Sequence, residues 1–364
     1  MSLEVHDIAD HHTINEEEIM DEIGSEKDID SYQPPFRMKA LVAYLYFIQG
    51  VIFSMPMTMT LVYPKLPPYS VLAIFTTANF PFSIKFIIAP FIEKYTNLGY
   101  GKRKTWIILS QSTVSILVFI ASFYTDQSYQ AEMGFMMVTC VFCISLQDIS
   151  LDAMAIKELK IPNLVGILQA IMMTLGIITG SVFLLKSTSA EFASNLGLSE
   201  PITHPSVIFR IISIFLVVPT IIVHLKYEET PLKSEKKIMK KKFFDIIKIY
   251  KNFFDFKSRF SLTLLILVTY IHGFTYFDAG YEYELIKSGF LKNTLNTITN
   301  ASLVPISIGA CILSSKIDAT SEGNLCKLFL AYMGLKWALL AFVYTFFPTG
   351  DIEVALLYFS LQAL

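Results

Sequence analysis

The stretch "SLQDISLDAMAI", residues 145–156, ends a long apolar run and places two carboxylates inside it, Asp148 and Asp152. A charge at the centre of a bilayer costs about 2.5–3.5 kcal/mol even on the mildest scales. Residues four apart share one face of a helix. If the run spans a membrane, that face is turned away from lipid and toward partners. If it does not, the carboxylates need no special account. The remainder of the chain decides between these cases.

The chain has 364 residues, of which 53% are hydrophobic, 14% aromatic and only 16% charged. A water-soluble domain carries about 25% charged residues. Mean hydropathy is +0.52. A transmembrane helix takes about 20 mostly apolar residues. Such runs fall near 39–62, 69–92, 105–125, 133–156, 163–186, 205–226, 260–283, 294–315 and 326–347, and a further one begins near 353 and runs to Leu364. The sequence therefore predicts an all-α, polytopic membrane protein with about 9–10 transmembrane helices. Its last apolar run is shorter than a span, so the reading expects a C-terminal end that is truncated. No signal peptide is expected, because the first apolar run follows a polar segment and is too long for one.

Residues 1–37 hold eleven Asp and Glu against Lys27 and Arg37 and offer little apolar surface, which predicts a disordered acidic tail. His11 and His12 in this tail read as solvated rather than metal-binding. Cys140 and Cys143 have C-x-x-C spacing but lack a second ligand pair, so no metal site and no cofactor are expected. With the N-terminus inside, the inner segments carry 22 Lys and Arg and the outer ones four. That bias predicts a cytosolic N-terminus. Eleven of these cations lie between Lys226 and Arg259, with Phe243, Ile247, Tyr250 and Phe254 at helical spacing among them. Residues 233–259 thus read as an amphipathic helix on an anionic cytosolic leaflet, in preference to a nucleic-acid contact.

Six spans, a long basic loop and further spans resemble the major facilitator superfamily. The expected division is a tail at 1–37, an N-terminal six-helix half at 38–226, a linker at 227–259 and an incomplete C-terminal half at 260–364. That superfamily commonly has an acid and a basic cluster between helices two and three. Here Glu93 takes the acidic role and Gly101, Lys102, Arg103 and Lys104 the basic one. Such a charge latch would hold the cytosolic gate in one of two states.

Four stretches narrow the resemblance: "LYFIQGV" (45–51), "NFPFSIKFIIAPFIEKY" (79–95), "GKRKTWIILSQ" (101–111) and "LQDISLDAMAI" (146–156). In order and spacing they are similar to the acetyl-coenzyme A transporter family. Ala153 departs from that pattern where a Gly is usual, and Ile177 where a Gln is usual. The resemblance implies an acetyl-CoA transporter of an endomembrane such as the endoplasmic reticulum, working by alternating access with proton symport or exchange for CoA. A permease of another anionic or muropeptide-like solute is the alternative. A membrane-bound acyltransferase or a non-transporting scaffold is the second alternative, although no catalytic constellation is readable.

Within this frame Gln49, Lys85, Arg210 and Lys336 are the candidate substrate-binding residues. Asp148, Asp152, His272 and Asp278 are candidates for proton coupling or for buried ion pairs. Lys85 is expected near Asp148 or Asp152, because intramembrane charges find partners. The readings of that pair stay open: a structural ion pair, a proton site or a substrate contact. The reading leans to a structural pair for Asp152 and a functional role for Asp148. Arg210 either meets substrate phosphate or snorkels to the outer interface.

Overall fold

A computed structural model describes residues 34–63, 65, 67–94 and 101–227, together with scattered positions from 280 to 297. All elements here are helical: α1 (Phe36–Val62), α2 (Tyr69–Thr77), α3 (Phe80–Ser83), α4 (Lys85–Lys94), α5 (Lys102–Ala121), α6 (Gln130–Leu159), α7 (Pro162–Thr188), α8 (Ala190–Asn195) and α9 (Pro205–Lys226), with a 3₁₀ turn at Gln127–Tyr129. Five of the helices are long and apolar enough to cross a membrane. The protein is thus an all-α, multi-pass membrane protein. The tail to residue 33, most of the linker and the spans beyond it lie outside the described residues.

The expected second span is not one helix. It breaks twice, at Ala78–Asn79 and at Ile84, into α2, α3 and α4. Pro81 supplies the physical reason for the first break, since it has no N–H to donate and its ring crowds the preceding turn. Lys85 follows the second break directly, as the first residue of α4. Pro56 and Pro219, by contrast, sit inside continuous helices. The turn from α6 to α7 is local chemistry. Lys160 takes a left-handed conformation at φ 56°, Ile161 is extended, and Pro162 opens α7, as expected for a residue before proline. Gly101 precedes α5 at φ 92°, a conformation that favours glycine.

The closest packing joins α1 to α7, and α5 packs on α6 and α9. Glycines make the first contact possible. A Cβ on Gly50 would fall on the Met173 carbonyl oxygen, one on Gly176 would fall on that of Phe47, and one on Gly180 would meet Ser54 Oγ at 2.5 Å. Small residues let backbones approach within a membrane, where dispersion rather than hydrophobicity joins helices.

Two apolar clusters fill the bundle. One gathers Ile52, Met59, Phe75, Val114, Val118, Met137 and Ile144, and the other Leu45, Ile107, Leu151, Met154 and Val223. Between them on their own helices lie fully buried polar residues: Gln49 on α1, Gln111 on α5, and Gln147 and Asp148 on α6. The core is therefore apolar at both ends and polar in the middle.

A matched pair of substitutions tests the seam. Gly50→Ala should destabilise the purified protein by about 1–3 kcal/mol, as overpacking does. Gly166→Ala, where nothing lies within 4 Å of the added carbon, should be neutral or stabilising by about 0.4–1 kcal/mol. Melting of both variants in detergent checks the contrast.

Candidate functional site

The break before α4 sets Lys85 against α6. Its ammonium is ion-paired with Asp148 and lies 3.7 Å from Asp152 Oδ2. Its Nζ also stands 4.7 Å from the centroid of the Phe82 ring, at cation–π distance. Asp148 is fully buried, whereas Asp152 and Lys85 are each about a third exposed, at 30% and 31%. A cation at a helix N-terminus opposes the helix dipole, so the aspartates of α6 are what make this placement tenable.

Two neutral donors complete the cluster. The Tyr46 hydroxyl on α1 donates to Asp152 Oδ1 at 2.7 Å. The Gln169 amide on α7 donates to Asp148 Oδ1 at 3.2 Å and to Asp152 Oδ1 at 3.4 Å. Four pieces of the bundle (α1, α4, α6 and α7) thus meet at one pair of carboxylates. With all three ionisable groups charged, the cluster carries one negative charge in excess.

Other candidate residues lie elsewhere. Gln49 is fully buried one helical turn from Tyr46, and its amide has no hydrogen-bond partner among the described residues. Arg210 is exposed, and its Nε donates to Ser122 Oγ at 3.4 Å while its guanidinium carbon lies 5.3 Å from the Phe123 ring centroid. These contacts hold it at the end of α5, not among the groups around Lys85. Lys104 is buried, and its ammonium donates to the His224 carbonyl at 2.8 Å in the last turn of α9. It therefore caps a helix end, a role open to any cation near free carbonyls. Arg103 is half-buried beside it, and Gly101 makes the turn into α5. Glu93 falls in the last turn of α4, but its side chain lies outside the described residues, as do His272, Asp278 and Lys336.

The sequence reading passes over Tyr46 and Gln169. Tyr46 resembles an ordinary core aromatic. Gln169 sits in a run with no charge, where a neutral amide draws no notice. A signal existed: a glutamine inside hydrocarbon needs partners much as a charge does.

A family model described as acetyl-coenzyme A transporter 1 matches residues 38–244. The chain belongs to this family. The match takes in all the helices of the cluster. An uncharacterized protein of Schizosaccharomyces pombe is 28% identical over 172 residues, which is 43% of this chain and 32% of that protein. A Rickettsia typhi protein that carries the name of an AmpG transporter is 28% identical over 204 residues, 52% of this chain and 45% of the relative. An uncharacterized protein of Haemophilus influenzae is 31% identical over 78 residues, 21% of this chain and 18% of the relative. These alignments take in less than half of each relative.

The two neutral donors can be tested apart from transport. Tyr46→Phe and Gln169→Leu should each lower stability by about 1–3 kcal/mol, the worth of a hydrogen bond to a charged, partly buried carboxylate. Because both donate to Asp152 Oδ1, their double variant should depart from additivity. Chemical unfolding of the four proteins in one detergent checks it.

Proposed function

We propose that this protein carries acetyl-CoA across a membrane by alternating access, with Lys85, Asp148 and Asp152 at the heart of the moving machinery. The family match over residues 38–244 supports the substrate. The observation that carries the mechanism is the composition of the cluster, two carboxylates on α6 against one ammonium on α4, in reach of two neutral donors on α1 and α7. The N-terminal half runs to residue 226, the basic linker at 227–259 rests on the anionic cytosolic leaflet, and the second half follows. The N-terminus is cytosolic and the membrane is an endomembrane. Glu93 and Arg103 form the cytosolic latch.

The geometry favours a division of labour opposite to the one expected from sequence. Asp148 is fully buried against Lys85 and reads as the structural partner. Asp152 is partly open and is held mainly by neutral groups, so it reads as the site that loads and releases a proton. Moving an anion against a membrane potential costs roughly 2.3 kcal/mol per charge per 100 mV. A co-transported proton offsets part of that. Gln49, buried and without a partner among the described residues, offers both a donor and an acceptor at the same level. A second reading follows from the AmpG name of the Rickettsia relatives, in which the solute is another anion or a muropeptide-like molecule on the same machinery.

Liposomes containing the purified chain and labelled substrate test this reading. Wild-type protein should accumulate intact acetyl-CoA under an inward proton gradient. Asp152→Asn should abolish that net uptake and retain exchange, since Asn mimics the loaded carboxyl. Asp148→Asn should lower both together with stability. Acetyl-CoA uptake no greater than in empty liposomes, alongside uptake of a muropeptide, would replace the first reading by the second.

A further inference from the structure

At the bundle end that holds Tyr63, groups from the N-terminal half meet residues from beyond the linker. The Tyr69 hydroxyl, at the start of α2, donates to a Glu284 carboxylate oxygen. The Tyr69 ring packs on Tyr283 with centroids 4.5 Å apart. The Lys292 ammonium donates to the Tyr63 carbonyl at 2.5 Å, at the C-terminal end of α1. Lys287 adds an ion pair to Glu284 at 3.6 Å. These contacts tie together segments more than 200 residues apart in the chain.

Their chemistry suits a closure that must also open. A packed seam such as Gly50–Met173 cannot part without loss of a dry, interlocked surface. A hydroxyl-to-carboxylate bond, an aromatic pair and an ammonium on a main-chain carbonyl each exchange readily for water. Burial also holds the Lys292 ammonium below the usual lysine range. The Tyr63 ring beneath is fully buried, packs edge-on to Phe75 and leaves its hydroxyl without a partner among the described residues.

We propose that Tyr69, Tyr283, Glu284 and Lys292, closing on the Tyr63 carbonyl, form a clasp between the two halves that holds this end of the transporter shut and releases when it opens. The clasp rests on the alternating-access reading and adds to it the residues that set the balance at the end opposite Lys104. Its contacts belong to the closed state alone, so weakening them shifts the population toward the open one.

The test is a distance measurement and needs no substrate. Spin labels go on exposed Ser128 and Thr297, by cysteine substitution in full-length protein whose native cysteines are replaced by alanine, reconstituted in nanodiscs. Electron–electron resonance reads the separation across this end. Tyr69→Phe, Glu284→Gln and Lys292→Met should each raise the ratio of the long-distance to the short-distance population by about fivefold, the effect of one lost hydrogen bond. Glu284→Gln probes the same contact as Tyr69→Phe from the other side, so a single variant that fails to fold leaves the test intact. Distributions that match the parent in all folded variants overturn the clasp. Failure of the liposome uptake experiment would sink the transport reading instead, and the two results are read independently.

Discussion

A buried carboxylate on α6 and an ammonium at the head of α4 each make the other possible. Asp148 has no access to water, and an uncompensated charge in that position is among the costliest features a helix bundle can carry. Lys85 answers it from the point where the second span breaks at Ile84 and restarts with the lysine in its first turn. A straight helix through Pro81 would require a backbone N–H that proline lacks. The break, the ion pair and the close fit of α1 against α7 are therefore one arrangement. The seam brings Tyr46 and Gln169 to the same carboxylates from the far side.

The apolar clusters at either end of the bundle give this arrangement its setting. Packing such as that of Met59, Phe75 and Met137, or of Leu151 and Val223, holds the ends of the helices. The middle layer, with Gln49, Gln111, Gln147 and Asp148 all fully buried, carries polar groups that dispersion alone does not hold. A protein built only to be stable in lipid would fill this level with leucine. The proposed alternating-access cycle would draw on polar atoms at this depth, where a change of charge alters the balance between two states.

Much of this is legible in the sequence. The spans at 133–156, 163–186 and 205–226 reappear as α6, α7 and α9 with ends shifted by a few residues at most, because apolar length is the signal that lipid imposes. The expected nearness of Lys85 to the aspartates follows from charge alone. Hydropathy sums over the breaks in span two, although Pro81 with its missing donor marks a kink there. Gln169 is hidden because it is neutral. Arg210 looks like a binding group because its charge sits in an apolar run, yet it lies at a helix end where Ser122 and Phe123 suffice to hold it. Charge and length are read easily from sequence, whereas direction depends on backbone geometry.

A double-mutant cycle on Lys85 and Asp148 tests the central claim, that these two groups are an ionised pair on which the broken helix depends. Lys85→Met should destabilise the protein by roughly 3–5 kcal/mol, because it leaves Asp148 buried without its cation, and Asp148→Leu by less, because Lys85 keeps Asp152 at 3.7 Å as a partner. The double variant should recover most of that loss, so that the coupling between the two positions is large and favourable. Additive losses in the double variant, or single losses below about 1 kcal/mol as found for exposed pairs, would contradict the account.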